Sequence, residues 1–333
     1  NNLYAKTGKG KNLCFAGHTD VVPAGDKENW QFPPYAAKVH DGLLIGRGAS
    51  DMKGSIAAFI AAFARHLNDY NKTFSISFLL TGDEEGPAKH GTKSMLPKIK
   101  AIGETIDHCI VGEPTNPNKL GEMIKIGRRG SLHGTLIING KEGHVAYPKK
   151  ASNPLPIMSN FVSVLSSLKL DDGNKHFQSS NMEFISIDTG NLVSNVIPSK
   201  IEAKFNIRFN TLQSEESLVE KIKNTIKSIS YDKDSFSWEL NTELSGSPFI
   251  TEPDNFIEIV ASTIKENTGI EPELSTSGGT SDARFIKDIC NVVEFGLVGK
   301  NMHQIDESIS LNDLESLTQI YYNIIKKYQE NPY

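Results

Sequence analysis

Three short, almost uninterrupted apolar runs, Leu13 to Gly17, Phe74 to Thr81 and His108 to Gly112, mark the N-terminal part of the chain. Runs this short and this apolar, with Ser75 and Ser77 the only polar residues in their interiors, look like strands covered on both faces, as in a parallel sheet. Between the first two, Ile56 to Leu67 (IAAFIAAFARHL) is alanine-rich and apolar on most faces, which predicts a buried helix. Around Gly130 the pattern changes. Ser131 to Asn139 alternates as a strand, Pro154 to Leu168 reads as a helix, and Met182 to Ile187 and Ile201 to Phe209 read as strands. A helix from Ser214 to Ile229 and a strand from Ser235 to Leu240 follow, completing the order of a ferredoxin-like sandwich. Past about Ser245, helix and strand resume through Phe256 to Glu266, Asn291 to Phe295 and Leu311 to Tyr328. The expected fold class is α/β: a mostly parallel sheet flanked by helices, interrupted by a ferredoxin-like α+β insertion. The expected domains are a discontinuous one of residues 1–129 and 246–333 and an inserted one of residues 130–245. No internal repeat or low-complexity segment is visible.

The strand-like runs hand over to polar clusters: His18-Thr19-Asp20, Ser50-Asp51-Met52-Lys53-Gly54, Gly82-Asp83-Glu84-Glu85-Gly86 and Gly112-Glu113-Pro114. In a parallel sheet, His18, Glu84-Glu85 and Glu113 fall just past strand carboxyl ends, where open α/β sheets place their ligand crevice. Asp51 precedes the predicted helix, where a carboxylate can also act simply as a cap. Imidazole and carboxylate are the donors that a catalytic divalent-metal site gathers while leaving a position open for water. Two ions call for a second histidine, and His303, in Lys300-Asn301-Met302-His303-Gln304, is the best candidate. The set is too acidic for a structural zinc site, which would normally use cysteine.

With 333 residues, 38% apolar and 23% charged, the chain can bury a substantial core and form two domains. A formal net charge of -5 provides no basic field for nucleic acid or an anionic membrane, so anionic ligands would need local arginines. No run of about 18 apolar residues and no signal-peptide pattern is present, which indicates neither membrane spanning nor secretion. Cys14, Cys109 and Cys290 are odd in number and lack CxxC spacing; they read as reduced core filler and point to the cytoplasm. The start at Asn1, without methionine, suggests that upstream residues are absent.

The stretches GHTDVVPAGDKENW, GRGASDMKGS, TGDEEG, VGEPT, GRRGSL, GHVAYP, SGGTSDARF and MHQIDE resemble, in order, those of bacterial succinyl-diaminopimelate desuccinylases. These belong to the co-catalytic zinc peptidase and deacylase family that also holds acetylornithine deacetylases and glutamate carboxypeptidases. The resemblance runs from about Leu13 to the end of the chain, and GRRGS near Arg128 with GGTSDARF near Gly278 favour the desuccinylase branch. Relative to that family, an opening segment of roughly one strand and one helix is missing.

The resemblance implies two divalent ions, zinc first, with cobalt or manganese as substitutes. His18 and Glu113 would hold one ion, Glu85 and His303 the other, and Asp51 would bridge them. Asp20 would orient His18 from behind, and Glu84 would take a proton from the nucleophilic water between the ions and return it to the leaving amine. His144 would stabilise the oxyanion from the partner chain of a homodimer, and Asn195 would be a second contact from that partner. The substrate so implied, N-succinyl-diaminopimelate, carries three carboxylates and would be met by Arg128 and Arg208 and by the backbone of Gly278, Gly279 and Thr280. One position departs from the family: four residues before His303 stands Gly299, where an asparagine is common, and Asn301 or Lys300 would have to substitute.

Each reading has a plainer competitor. Glu84-Glu85 could be a solvated turn, Arg128-Arg129 an exposed basic pair, Asn195 a turn former and Thr280-Ser281 a helix cap. His40, His66, His90, His108, His133 and His176 lack such context and are read as structural. The enzyme alternatives are an acetylornithine-type deacetylase or a dipeptidase with the same machinery; outside enzymes, the alternative is a catalytically silent metal-binding scaffold.

Overall fold

A computed structural model describes residues 1–67 and 74–330 of the chain. The chain divides into two compact units, one of Asn1–Gly127, Ile250–Ser277 and Ser281–Tyr333, the other of Arg128–Phe249 with Gly278–Thr280. Arg128 and the Gly278–Thr280 loop thus group with the inserted segment, beyond the 130–245 span expected from the pattern.

In the first unit a seven-stranded sheet runs in the order Leu3–Gly8, Ser75–Thr81, Asn12–His18, His108–Val111, Asn291–Glu294, Met123–Lys125, Glu273–Ser275. Asn12–His18, third in that order, is the central strand of a parallel trio, with Ser75–Thr81 on one side and His108–Val111 on the other, and the latter is parallel to Asn291–Glu294. Leu3–Gly8 and the contact between Glu294 and Lys125 are antiparallel, so the sheet is mostly rather than wholly parallel. From the central strand the chain passes first to one neighbour and later to the other, which opens a crevice at the carboxyl end of that strand.

The expected helix forms as Gly54–His66 and packs Ile56, Phe59 and Ala62 into the core with Phe15 and Tyr321. Its burial is one-sided rather than all-round: Ile60 is exposed, because alanines hide the helix's real polarity from an apolarity count. Phe15 and Phe59 stack at 4.4 Å, and the Tyr321 hydroxyl donates to the Phe295 carbonyl at 2.6 Å. Cys14 and Cys109 lie in this core as free thiols, and Cys290 is half-buried and also free.

A second, three-stranded sheet, Ser308–Ser310, Leu43–Ile45 and Lys38–His40, was not foreseen from the sequence. Its pairing of Ser308 with Ile45 brings the segment after His303 beside the segment before Asp51.

The second unit is a four-stranded antiparallel sheet in the order Asn181–Asp188, Lys200–Phe209, Gly130–Asn139, Ser237–Gly246, with helices Pro154–Ser166 and Glu215–Ser228. The order matches a ferredoxin-like sandwich. Leu132, Leu136, Phe205 and Ile207 from alternate strand positions pack against Phe161 and Leu165 of one helix and Leu218 and Ile222 of the other. Asn153 caps the first helix and Ser214 the second, the latter reciprocally with Ser217. Ser237–Gly246 outruns the expected strand because NTELSG is polar yet pairs along Gly130–Asn139. Asn181–Asp188 is an edge strand with Ile185 and Ile187 exposed.

Candidate metal centre

Three neighbouring parallel strands deliver the first donors. His18 is the last residue of the central strand, Glu84 and Glu85 follow Thr81, and Glu113 follows Val111. Adjacent strands lie about 4.8 Å apart, so residues just past their ends begin close together.

Asp51 is not a helix cap: the helix begins at Gly54 and no side chain bonds its N-terminus. Instead Asp51 lies in a buried turn, Ala49–Lys53, with its peptide bond to Met52 cis. Its two carboxylate oxygens face different histidines, Oδ1 lying 3.1 Å from His18 Nε2 and Oδ2 3.0 Å from His303 Nε2. His303 Nε2 is also 3.0 Å from Glu85 Oε1, and His18 Nε2 is 3.8 Å from Glu113 Oε1.

Three overlapping groups of donors result: His18, Asp51, Glu113; Asp51, Glu85, His303; and His18, Glu84, Glu85, each with its ligand atoms within 4.8 Å of one another. A tetrahedral ion with bonds of about 2.0–2.1 Å keeps its donors roughly 3.3 Å apart, and the observed 3.0 to 3.8 Å bracket that spacing. The donor set of imidazoles and carboxylates therefore fits borderline divalent ions.

Electrostatics agree. Burial holds Glu113's carboxyl well above the usual range, with the charge of Asp51 adding to the effect, and burial also raises Glu85. Burial alone would depress His18, but its hydrogen bond to Asp51 and the charges of Glu113 and Glu84 push it up to about 11. The hydrogen bond to Asp51, opposed by burial and aided by Glu85, pushes His303 up to about 9. Asp51, despite burial, is held low by the two histidines. A pocket that raises its bases and buries this many carboxylates calls for added positive charge.

Asp20 acts through different atoms than expected. His18 Nδ1 donates to Asp20's main-chain carbonyl at 3.0 Å, while Oδ1 of the Asp20 side chain is farther away, at 3.7 Å. Because a carbonyl only accepts, the hydrogen sits on Nδ1 and Nε2 faces the carboxylates. Asp20 Oδ2 accepts the Glu85 N–H at 3.0 Å, tying together two neighbouring strand ends.

Glu84 takes no hydrogen bond from any described residue; burial, aided by the charges of Asp282 and Glu85 and opposed by His18 and Arg284, pushes it up to about 7. Asp83, at φ 73°, accepts the N–H groups of Lys89 and His90 and so closes the loop that presents the glutamate pair. Asn301, offered as a stand-in for the asparagine absent at Gly299, is already engaged by its own loop. Its amide is spent inside the loop, donating to the Asp306 carbonyl and Ser308 Oγ and accepting from Ser308 N–H.

In the second unit Arg128 is buried and its Nη1 donates to the Gly279 carbonyl at 3.1 Å. Gly278 has φ 101°, and a Cβ there would stand 2.7 Å from that guanidinium, so the close approach needs glycine. Thr280 belongs to the same loop. Arg208 is half-buried on Lys200–Phe209, opposite Ser131. His144 pairs with Val196 on a two-residue ladder, and Val145 N–H donates to the Asn195 carbonyl at 3.1 Å, so His144 and Asn195 are exposed neighbours.

Residues 14–327 match the model of peptidase family M20/M25/M40. The chain belongs to that family. This M20 chain is 53% identical over 329 residues to a protein of Rhodospirillum centenum named succinyl-diaminopimelate desuccinylase, covering 98% of the chain and 84% of that protein. Among solved structures it is similar to the M20 metallo-carboxypeptidase Sso-CP2 from Sulfolobus solfataricus, with TM-score 0.80, 19% identity and coverage of 99% and 88%. It is also similar to the Bacillus subtilis YXEP protein, described as a dinuclear metal binding peptidase, with TM-score 0.69, 14% identity and coverage of 98% and 85%. At those identities the two structures share the fold alone. Among the described residues no helix is long and apolar enough to cross a membrane.

Two buried charged residues were missed by the sequence reading. Arg47 and Glu307, inside the GRGASDMKGS and MHQIDE stretches, form an ion pair at 2.7 Å beneath the centre. Their only signal was a charge four residues from a candidate ligand, Arg47 before Asp51 and Glu307 after His303.

Proposed function

We propose that this M20 chain is an amide hydrolase dependent on two divalent cations, most simply zinc, that cleaves N-succinyl-LL-2,6-diaminopimelate into succinate and LL-2,6-diaminopimelate. The observation that carries the two-cation reading is the Asp51 carboxylate, which turns one oxygen toward His18 and the other toward His303. The substrate assignment rests on relatives so named that share about half of their residues with the chain.

In this reading His18, Asp51 and Glu113 hold one cation and Asp51, Glu85 and His303 the other. Bound cations supply Lewis-acid polarisation of the scissile carbonyl and acidify water. Glu84, raised toward neutrality and free of competing hydrogen bonds among the described residues, accepts the proton of the attacking water and passes it to the leaving amine. Asp20 fixes His18 through its carbonyl and Glu85 through its carboxylate. Arg128, Arg208 and the Gly278–Thr280 backbone would bind substrate carboxylates. His144 and Asn195 would serve the partner's site in a homodimer. In support, they are exposed, next to exposed Val145, Tyr147 and Val193 and to Leu192, whose side chain is almost wholly in solvent. The exposed edge strand Asn181–Asp188 offers a further surface for a second copy.

Comparing kcat/KM for N-succinyl-diaminopimelate, N-acetylornithine and dipeptides tests the assignment. Fastest turnover of the succinylated substrate is expected; faster cleavage of an acetylated amino acid or a dipeptide would replace it with the corresponding family member.

A further inference from the structure

Glu307 is completely buried, and every oxygen of its carboxylate is used. Oε1 accepts the N–H groups of Ser50 at 2.9 Å and Asp51 at 3.1 Å, while Oε2 takes Arg47 Nη1 at 2.7 Å. Arg47 Nη2 in turn donates to the carbonyls of His303 at 3.3 Å and Pro23 at 3.4 Å, and the guanidinium lies 5.2 Å over the Trp30 ring. The main chain repeats the link, since Gly46 N–H donates to the Glu307 carbonyl at 2.8 Å. One ion pair therefore clasps the backbone of Asp51 on one side and the backbone of His303 on the other, two residues separated by most of the chain.

The two donor groups differ in how they are otherwise held. His18 and Glu113 stand at the ends of adjacent core strands and keep their places through the sheet. His303 has no strand beneath it: it sits at φ 64° in a surface loop, its side chain nearly half exposed. Burying a charged pair costs desolvation that a packed apolar pair would not, so such a pair is weak evidence of stability and better evidence of a demand for geometry.

We propose that Arg47 and Glu307 are positioning residues that set the separation of the Asp51 turn from the His303 loop, and through it the affinity of the second cation, the one between Asp51, Glu85 and His303. This rests on the two-cation reading above. Neither residue touches substrate or cation.

The test is stepwise Co(II) titration of the cation-free full-length protein, by calorimetry and visible absorption, on wild type, Glu307→Gln and Arg47→Lys. In Glu307→Gln the amide oxygen can still accept from Ser50 and Asp51, but its NH2 faces the Arg47 donor and the clasp on His303 opens. In Arg47→Lys the charge remains, but a single nitrogen replaces the two, Nη1 and Nη2, that Arg47 directs separately at Glu307 and at the His303 carbonyl, so the fixed fork is lost. Expected is an unchanged first binding step and a second step weakened roughly 10- to 100-fold in both variants. Equal weakening of both steps, or no weakening of the second, overturns the proposal. Should Glu307→Gln fail to fold by circular dichroism, Arg47→Lys alone decides by the same criterion. Wild type that binds only one Co(II) refutes the two-cation reading instead, so the two failures are distinguishable.

Discussion

Glu84→Gln keeps the side chain's shape and removes both its charge and its basicity, and the surroundings of Glu84 give each loss a size. Burial, with Asp282 and Glu85, pushes the carboxyl from its ordinary 4.5 up to about 7. A carboxyl raised on folding binds its proton more tightly in the folded chain. Its contribution to stability is therefore whole below about pH 4.5 and is lost as pH rises through about 7. The displacement corresponds to roughly 3 kcal/mol well above pH 7. Glutamine has no charge to bury, so in excess chelator the variant should melt several degrees higher than wild type near pH 8.5, and the difference should vanish near pH 4.5. Catalysis moves the other way. Loss of a general base lowers kcat by roughly 100- to 10,000-fold, or about 3–5 kcal/mol in the barrier. Both cations should remain, because His18, Asp51, Glu85, Glu113 and His303 are untouched. Melting curves by circular dichroism, initial rates of succinate release and metal content by mass spectrometry give the three readouts. A kcat within tenfold of wild type refutes the general-base role. Loss of one cation would make Glu84 a ligand, as its place beside His18 and Glu85 also allows.

Three further outcomes are expected. In chelator, His18 and His303 are raised to about 11 and about 9 from 6.5, so the stability they contribute is whole below pH 6.5 and is lost as pH rises through about 9 for His303 and about 11 for His18; the melting temperature should fall from about pH 7 to about pH 11, and a flat profile would refute the charge balance described. Arg128→Met should raise KM roughly 10- to 100-fold, the equivalent of one lost charge-assisted bond, with a smaller change in kcat; an unaltered KM would remove Arg128 from the substrate site. Mixing His144→Ala with Glu84→Gln chains should restore part of the activity if each site borrows His144 from its partner, and no rescue in proven mixed dimers would count against the shared site.

Much of the molecule was legible in the one-dimensional pattern. Strands buried on both faces leave nearly continuous apolar runs, so Asn12–His18, Ser75–Thr81 and His108–Val111 were visible, and with them the crevice that receives His18, Glu84, Glu85 and Glu113. The ferredoxin-like order of the inserted segment was readable from the same periodicities. Other features were decided only in three dimensions. Strand register on the small sheet, Ser308 against Ile45, lets His303 reach Asp51, and no local pattern encodes a pairing across that distance. Asp51, read as the bridging ligand, kept a plainer reading as a cap, since a carboxylate before a helix has the same sequence signature whether it bonds the helix or turns away, and the structure leaves the helix start without a side-chain bond. Asn301 looked available until its amide was found satisfied inside its own loop. Arg47 and Glu307 went unnoticed in the sequence, because burial of a charge depends on which distant partner neutralises it. Local sequence fixes hydrophobic period and donor type, which are properties of neighbouring residues; which oxygen faces which nitrogen is a property of the packed whole.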